Sequence, residues 1–370
     1  MRDDDAMARA LELGASVRSR TAPNPWVGCV LVAPDGTVAG EGTTEPPGGR
    51  HAERVALDAA GPRARDATAY VTLEPCAHVG RTGPCADALI DVGVARVVVA
   101  VEDPDPQVAG QGIDRLRAAG LTVDVGVGAD AAAALLAPYL HHRRTGRAHC
   151  VVKLAVSLDG KIAAADGTSQ WLTGDIARAD GHRLRAESQA VVIGSGTALA
   201  DEPALTVRDA PAPLHPPLRV LLDARGRVPA RGPLFDVVSA PTLICTTDRA
   251  PASVIDAWHA AGAKVEVLPA SPTGGVDLAS VLALLGARDV LQALVEGGGT
   301  LAGAALDTGR VDRLVVYVAP IVLGDDARPG FATGGPTTLA AATRWELVSS
   351  VRLGDDMRLE YTRPPVGERG

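Results

Sequence analysis

Metal-binding residue types stand close together in two short motifs of the first half of the chain. His51 and Glu53 form an H-A-E motif, Cys76 ends an E-P-C motif, and Cys85 follows shortly after. One imidazole and two thiolates leave one position of a tetrahedral Zn²⁺ site open, which is typical of a catalytic rather than a structural zinc. Glu53 is placed to move a proton between the activated water and a leaving amine. We therefore predict that His51, Cys76 and Cys85 bind Zn²⁺ and that Glu53 is the catalytic proton shuttle.

The order of these residues matches the zinc-deaminase signature, H-x-E followed by P-C-x-x-C, except in the distance between the cysteines. Eight residues rather than two separate Cys76 from Cys85. One alternative is three unrelated residues, a core histidine and two separate cysteines. Another is a structural zinc, for which His78 is the only nearby fourth ligand. We favour the catalytic site because the H-x-E motif, the E-P-C motif and the second cysteine occur in the expected order.

A glycine-rich segment of the second half could hold a phosphate. The residues 296–300 (EGGGT) follow an apolar run, Val290–Val295, and open a predicted helix. Glycines allow close backbone approach, and a helix N-terminus offers N–H donors to an anion. The segment is neither a G-x-G-x-x-G nor a Walker motif, so a plain loop remains an alternative. A second turn of this type, the residues 194–197 (GSGT), is weaker still.

Helix-type and strand-type periodicities alternate along both halves, which predicts α/β layering around largely buried sheets. The predicted helices are Ala6–Val17, His51–Ala60, Cys85–Val92, Gly112–Ala119, Asp130–Leu140, Asp175–Glu187, Ala252–Ala261, Leu278–Leu285 and a short one ending at Leu306. The predicted strands are Val27–Val32, Thr68–Leu73, Arg96–Val101, Thr122–Val127, His149–Val156, Ala190–Ile193, Leu218–Leu222, Thr242–Thr246, Lys264–Leu268, Val290–Val295 and Arg313–Val318, which closes the series.

The length of 370 residues predicts two domains, and we place the boundary near residue 146. The predicted domains are 1–146 and 147–370. A basic patch, His141–Arg144, precedes the boundary, and we favour its interpretation as a solvated edge of the linker. The residues from Arg363 onward are rich in proline, glycine and charge, which predicts a frayed tail.

Composition excludes several classes of protein. The net charge is −8, with 14 basic against 19 acidic residues in 1–146 and 22 against 25 in 147–370, so neither half suits nucleic-acid binding. No apolar run is long enough for a membrane helix, and we expect no membrane partner. Five cysteines do not make a disulfide framework, and Cys29, Cys150 and Cys245 each stand in an apolar run that predicts the core. We expect a cytoplasmic enzyme with a small-molecule partner.

Two segments of the first half resemble the deaminase domain of the bifunctional riboflavin-biosynthesis deaminase/reductase family. They are the residues 22–30 (APNPWVGCV) and 75–85 (PCAHVGRTGPC). The second usually is PCSHHGRTPPC in that family, so Ala77, Val79 and Gly83 depart from it without touching a zinc ligand. The resemblance implies a cytidine-deaminase-like α/β/α sandwich, with Asn24 holding the pyrimidine. A turn residue between two prolines is the alternative for Asn24.

The second half resembles the reductase domain of the same family through SLDGKIA (157–163), SQW (169–171), ADEPALTVR (200–208), EGGGTLAGA (296–304) and VAPIVLG (318–324). The resemblance implies a dihydrofolate-reductase-like α/β domain that uses NADPH. The implied NADPH contacts are Ala155, Trp171, Thr197, Asp201, Gly298, Gly299, Thr300, Leu301, Ala302, Gly303 and Ala304. The implied substrate contacts are Ser169, Arg185, Leu205, Arg208 and Glu296.

The chemistry of some side chains agrees with these implied roles. Arg185 and Arg208 suit a 5′-phosphate, since guanidinium binds phosphate through a bidentate fork. The alternatives are a solvated surface arginine for Arg185 and a core aromatic for Trp171. Hydride transfer needs only an aligned nicotinamide and imine, so we name no catalytic side chain for the reductase.

The resemblance implies a bifunctional enzyme of riboflavin biosynthesis. It would deaminate 2,5-diamino-6-ribosylamino-4(3H)-pyrimidinone 5′-phosphate with zinc, and would then reduce the ribosyl group with NADPH to give 5-amino-6-ribitylaminouracil 5′-phosphate. We expect a homo-oligomer that binds this phosphorylated pyrimidine and no nucleic acid. The alternatives are a nucleoside or nucleic-acid deaminase with an accessory nucleotide-binding domain, and a zinc-stabilised nucleotide sensor without turnover. The shortage of aromatic residues for base stacking argues against the first. The intact H-x-E argues against the second.

Overall fold

The computed structural model describes residues 1–78, 83–332 and 334–364. They form two compact units, Met1–Gly146 and Arg147–Gly370. Each unit layers helices on a β-sheet, which confirms the expected α/β class. Within the described ranges, no helix combines the length and apolar character needed to cross a bilayer.

The first unit is built on a five-stranded sheet in the order β2-β1-β3-β4-β5. Strand β1 pairs antiparallel with β2 and β3, whereas β3, β4 and β5 are parallel. The strands are β1 (Gly28–Val32), β2 (Val38–Thr43), β3 (Thr68–Val71), β4 (Arg96–Val99) and β5 (Thr122–Val125). The helices are α1 (Asp3–Ser16), α2 (Ala52–Ala60), α3 (Cys85–Val92), α4 (Gln111–Ala118), α5 (Ala129–Leu135) and α6 (Ala137–Thr145), and a short 3₁₀ helix spans Gly61–Ala64.

Helices pack on both faces of the first sheet, and successive side chains of β1 point alternately to one face and the other. Val30 and Val32 pack into a cluster with Ala6 and Ala10 of α1. Cys29 points to the other face, since side chains alternate along a strand, and it lies within electrostatic range of Glu53 on α2. Helix α2 lies so close to β2 that a Cβ at Gly42 would stand 2.1 Å from a backbone oxygen of the helix. The glycines of β2 therefore let α2 approach the sheet.

The second unit is built on a nine-stranded sheet in the order β11-β10-β9-β8-β12-β6-β13-β16-β15, with β14 and β7 paired separately. Neighbours from β11 to β13 are parallel, and β16 and β15 are antiparallel. The strands are β6 (His149–Val156), β7 (Lys161–Ala163), β8 (Ala190–Gly194), β9 (Leu218–Leu222), β10 (Thr242–Thr246), β11 (Lys264–Val267), β12 (Gln292–Val295), β13 (Arg313–Val318), β14 (Arg328–Pro329), β15 (Glu346–Leu353) and β16 (Asp356–Thr362). The helices are α7 (Asp175–Ala186), α8 (Ser195–Asp201), α9 (Ala252–Ala260), α10 (Leu278–Gly286) and α11 (Gly299–Asp307), with 3₁₀ helices at Pro233–Phe235 and Leu339–Ala341.

The core of this unit lies on both faces of its sheet. Alternate residues of the central strands pack with α10 and α11 in one cluster, and the intervening residues pack with α7 or with Trp258 of α9 in others. The parallel strands therefore carry continuous apolar runs, such as AVVI in β8 and ALV in β12. Cys29, Cys150 and Cys245 are fully buried free thiols, which confirms that they are core residues.

Several predicted elements were wrong in detail. The predicted helix Asp130–Leu140 is two helices, because Pro138 in the first turn of α6 favours a new start. The patch His141–Arg144 lies in α6 rather than on a linker edge: His142 is buried, and Arg143 pairs with Asp105 at 3.3 Å.

Other elements were missed. Strand β2 was not predicted because its VAGEGT sequence lacks apolar alternation. Strand β13 does not close the series, since the mostly exposed β15 and the partly buried β16 follow it. Helix α8, which begins at Ser195 within the GSGT segment, was not among the predicted helices. Most of the predicted tail lies outside the described residues.

Candidate metal centre and dinucleotide cavity

The predicted zinc ligands converge in the first unit. His51 is the residue before α2, Cys76 lies in the loop after β3, and Cys85 is the first residue of α3. The Nδ1 of His51 lies 3.5 Å from Cys76 Sγ and 3.3 Å from Cys85 Sγ. All three ligand atoms lie within 4.8 Å of one another. One imidazole nitrogen and two sulfurs around one point are a donor set that fits Zn²⁺.

The described residues supply three members to this ligand cluster, and His78 is exposed and outside it. Around the cluster, the Cys85 backbone N–H donates to Cys76 Sγ at 3.4 Å. A hydrogen bond from the Cys85 thiol lowers the pKa of Cys76 below its usual value, with His51 adding to the effect against burial. Anionic sulfur is the form that binds a metal.

Glu53 lies in the first turn of α2, and only 4% of it is exposed. Burial raises the pKa of its carboxyl to about 7, and the nearby Cys76 thiolate adds to this shift. A carboxyl that titrates near neutral pH can both accept and donate a proton during turnover. The position, the burial and the pKa therefore agree with the predicted proton shuttle.

Glu74 is a buried carboxylate whose role the sequence did not reveal. Its two oxygens accept four backbone N–H groups from one distant segment, made of a loop and the first turn of α4. The donors are Asp103 (3.1 Å), Gly110 (3.0 Å), Gly112 (2.8 Å) and Ile113 (3.2 Å). Because Glu74 is two residues before Cys76, these bonds anchor the ligand loop to the start of α4. A charged residue at a strand end was the only signal of this in the sequence.

The residues that depart from the family motif, Ala77, Val79 and Gly83, do not share one set of contacts. The carbonyl oxygen of Ala77 accepts from Arg115, and that of Gly83 accepts from Arg54. Val79 lies outside the described residues. Asn24 is half-buried in a turn, where its N–H donates to the Thr21 carbonyl at 2.9 Å. This backbone turn is compatible with a substrate contact, which stays a prediction.

A cavity of about 1320 Å³ opens at the carboxyl ends of the parallel strands in the second unit. Most of the predicted NADPH and substrate residues line it. They are Ala155, Ser169, Arg185, Thr197, Asp201, Leu205, Glu296, Gly298, Gly299, Thr300, Leu301 and Ala304. A ligand crevice at this edge is typical of open α/β sheets.

The glycine-rich turn after β12 shapes one wall of this cavity. The Gly298 N–H donates to Thr197 Oγ1 at 3.1 Å. A Cβ at Gly299 would stand 2.2 Å from the Pro329 carbonyl oxygen, so only glycine fits there. Since Gly299 begins α11, the turn and the helix N-terminus together fit the diphosphate of a dinucleotide. Ala302 and Gly303 are buried inside α11 and do not line the cavity.

Arg185 and Glu296 form a bidentate ion pair at the base of the cavity. The Arg185 Nε and Nη2 donate to the Glu296 carboxylate at 2.6 and 2.7 Å, and Nη1 donates to the Thr206 carbonyl. Although burial opposes ionisation, Arg185 and Lys153 hold the pKa of Glu296 below its usual value. Arg185 is therefore not a solvated surface residue. Its phosphate contact stays a prediction, as its guanidinium already serves Glu296.

Besides Ala302 and Gly303, the predicted residues Trp171 and Arg208 lie outside the cavity wall. Trp171 is 68% exposed with the Arg178 guanidinium 4.6 Å from its ring centroid, so the core alternative is wrong. Arg208 is exposed, and its backbone N–H donates to His182 Nδ1 at 3.3 Å. Lys153 lines the cavity and was missed, although a lysine inside the apolar strand β6 was a signal for it.

The chain matches two families of known proteins. Residues 1–101 match the cytidine and deoxycytidylate deaminase zinc-binding region, and residues 148–359 match the RibD C-terminal domain. The riboflavin biosynthesis protein RibD of Chlamydia pneumoniae is 44% identical over 97% of this chain and 95% of its own. That of Escherichia coli is 42% identical over 97% and 99%.

Two solved structures are similar over the full length. RibD of Acinetobacter baumannii has a TM-score of 0.86 and 37% identity, covering 98% of this chain and 99% of its own. A diaminohydroxyphosphoribosylaminopyrimidine deaminase/5-amino-6-(5-phosphoribosylamino)uracil reductase of Thermotoga maritima has a TM-score of 0.85 and 30% identity, with the same coverage.

Proposed function

The chain belongs to the family of bifunctional riboflavin-biosynthesis deaminase/reductases, and from this membership we propose how its two halves divide the work. The protein is a zinc-dependent deaminase and an NADPH-dependent reductase. It deaminates 2,5-diamino-6-ribosylamino-4(3H)-pyrimidinone 5′-phosphate and then reduces the ribosyl group to ribityl. The membership confirms the cytidine-deaminase-like and dihydrofolate-reductase-like folds, and it does not favour a nucleoside or nucleic-acid deaminase.

We assign the deamination to residues 1–146, with His51 Nδ1 and the sulfurs of Cys76 and Cys85 holding the metal. Bound zinc supplies a water of lowered pKa as the nucleophile. Glu53 would accept a proton from the attacking water as its oxygen bonds to the ring carbon, and would then give that proton to the amine, so that the C–N bond breaks and ammonia leaves. Burial keeps the Glu53 carboxyl out of bulk solvent and near the required pKa. The three converging ligands beside Glu53 carry this assignment.

We assign the reduction to residues 147–370. Bound NADPH would supply a hydride to the ribosyl carbon. The residues that would hold the cofactor are those of the Gly298–Ala304 segment that line the cavity (Gly298, Gly299, Thr300, Leu301 and Ala304), together with Thr197, Asp201 and Ala155. Ser169, Leu205 and Glu296 face the substrate, and Arg185 fixes the orientation of Glu296. Arg208, exposed near the cavity, meets the 5′-phosphate, and Trp171 covers the cofactor.

We also propose the cellular location of the enzyme, its lack of nucleic-acid binding and its oligomeric state. We place it in the cytoplasm, because the described cysteines are free thiols and zinc needs them reduced. We propose that it binds no nucleic acid, since both halves carry net negative charge. We also propose a homo-oligomer. The edge strand β15 exposes Leu347 (53%) and Val348 (52%), and natural proteins usually cover an apolar sheet edge.

One assay tests the whole assignment. Purified protein is given the diaminopyrimidine substrate with and without NADPH, while ammonia and NADPH absorbance are followed. We expect one ammonia per substrate in both cases and, when NADPH is present, one NADPH oxidised per substrate. Zinc and NADPH binding without ammonia release would instead identify a nucleotide sensor.

A further inference from the structure

The cationic side chains that line the dinucleotide cavity differ in whether a carboxylate lies near them. The described wall contains six of them: Lys153, Arg185, Arg225, Arg227, Arg310 and Arg328. NADPH differs from NADH only by a 2′-phosphate on its adenosine ribose. A protein that selects NADPH therefore needs cations, with their charge available, where this phosphate lies.

Four of the six cations lie within electrostatic range of a carboxylate. Arg185 pairs directly with Glu296, and the other pairs interact through their fields. The pairs are Arg185 and Lys153 with Glu296, Arg310 with Asp277, and Arg328 with Asp166. Arg185 is committed to its ion pair with Glu296, and Lys153, Arg310 and Arg328 each share the field of one acidic side chain.

Arg225 and Arg227 differ from the others. Across the described ranges, no carboxylate pairs with either side chain. The nearest acid in sequence, Asp223, is fully buried, and its oxygens accept the backbone N–H groups of Arg225 at 3.4 Å and Val228 at 2.8 Å. Asp223 therefore shapes the turn that presents the two arginines and leaves their charges unbalanced.

A hydroxyl completes this cluster. The Arg227 Nη2 donates to the Oγ of Ser195, the residue that follows β8. Because Ser195 Oγ accepts this bond, its hydroxyl hydrogen can donate to an anion. The cluster is therefore made of two guanidinium groups and one hydroxyl at the ends of adjacent parallel strands, β8 and β9.

The strand order puts this cluster at the adenosine end of the cavity. From β6 to β9 the order is β6-β12-β8-β9, so three strand spacings, about 14 Å, separate the ends. Ala155 lies on β6, where the nicotinamide meets the substrate residues, and the glycine-rich turn for the diphosphate follows β12. The adenosine ribose then extends past β8 towards the loop after β9.

We propose that Arg225 and Arg227, together with the Ser195 hydroxyl, bind the 2′-phosphate of NADPH and make the reductase select NADPH over NADH. This deepens the proposed function, since it rests on the placement of the cofactor along this edge. The guanidinium groups contact the phosphate from the exposed rim of the cavity. They take no part in hydride transfer.

Binding titrations test the proposal without turnover. Dissociation constants for NADPH, NADH, 2′,5′-ADP and 5′-ADP are measured by fluorescence or calorimetry for the wild type and for Arg225→Ala, Arg227→Ala and the double variant. Each loss should weaken NADPH and 2′,5′-ADP about 10- to 100-fold, as charged hydrogen bonds do. NADH and 5′-ADP should change less than about twofold.

Two further variants separate the outcomes. Arg231→Ala, an exposed arginine outside the cavity wall, is the matched control and should bind all four ligands as the wild type does. If Arg310→Ala lowers the NADPH preference and the Arg225 and Arg227 variants do not, the 2′-phosphate lies beside Arg310 instead and the proposal is wrong. Failure of the wild type to bind either dinucleotide would instead overturn the proposed reductase function.

Discussion

The two halves of the chain hold their cofactors by different means. In residues 1–146, one histidine and two cysteines within a 35-residue stretch provide the metal ligands through their own side chains. In residues 147–370, the wall of the dinucleotide cavity comes from strand ends and turns between residues 153 and 332, much of it backbone and small side chains. Metal binding by side chains depends on a few ligand atoms that no other residue can replace. Dinucleotide binding by backbone groups spreads the binding free energy over many contacts. Single substitutions should therefore affect the two sites very differently.

The largest effect should come from Glu53→Gln. Gln is almost the same size but cannot shuttle a proton, so ammonia release should fall about 100- to 10,000-fold. Zinc content, measured by plasma mass spectrometry, should stay at one per chain, and reduction of the deaminated intermediate should not change. Glu12→Gln, at a 69% exposed side chain, is the matched control. Full deaminase activity in Glu53→Gln would contradict the assignment of Glu53 as the proton shuttle.

A smaller effect is expected from Gly299→Ala in the second half. The added Cβ would stand 2.2 Å from the Pro329 carbonyl oxygen, so the glycine-rich turn must shift. Overpacking of this kind costs about 1–3 kcal/mol, so the NADPH dissociation constant should rise about 10- to 100-fold while ammonia release continues. Gly334→Ala, where nothing lies within 4 Å of the new Cβ, should bind NADPH normally. Unchanged NADPH affinity in Gly299→Ala would mean that this turn does not hold the diphosphate.

Arg208→Ala should change substrate binding by the reductase half without changing NADPH binding. If Arg208 meets the 5′-phosphate, its loss should raise the reductase KM for the substrate about tenfold through a lost charged hydrogen bond. The NADPH dissociation constant should stay the same. Arg352→Ala, at a 75% exposed side chain of β15, is the control. Loss of NADPH binding alone would place Arg208 at the cofactor instead.

The smallest effect concerns the stability of the first half. Hydrogen bonds from Arg96 and Tyr70 lower the pKa of Asp3 from 3.8 to about 2. A lowered folded-state pKa gives stability that is present above pH 4 and is lost as pH falls towards 2. Because the Asp3 side chain is 38% exposed, solvent screening reduces this contribution to about 0.5–1 kcal/mol.

Urea unfolding of Asp3→Asn checks this estimate. The variant should lose that stability at pH 7, and its difference from the wild type should shrink below pH 4. NADPH affinity should not change. The exposed neighbour Asp4→Asn is the control. A difference that grows as the pH falls would contradict the assignment to this ion pair.

The same contrast explains how far the sequence alone could predict each half. His51, Cys76 and Cys85 were found from residue type and order, because the ligand atoms belong to the side chains themselves. The sequence did not reveal that Glu74 anchors the ligand loop, since its backbone donors begin 29 residues away and any residue type could supply them. Periodicity also missed the glycine-rich strand β2, the exposed strand β15 and the strand β16, whose buried side chains are polar.

In the second half, the sequence located segments rather than contacts. The glycine-rich turn after β12 was predicted because it needs a residue type, and Gly299 does require glycine. The pairing of Arg185 with Glu296 spans 111 residues and depends on tertiary structure. The same is true of the unbalanced charges of Arg225 and Arg227, which became apparent only when their neighbours were known.

Removal of zinc tests most directly whether each half carries its own reaction. The protein is treated with a chelator, and ammonia release from the diaminopyrimidine substrate and NADPH oxidation with the deaminated intermediate are measured before and after zinc is restored. We predict that ammonia release stops and returns with zinc, while NADPH oxidation continues throughout. Loss of both activities on chelation, with NADPH still bound, would contradict the separation of the two chemistries.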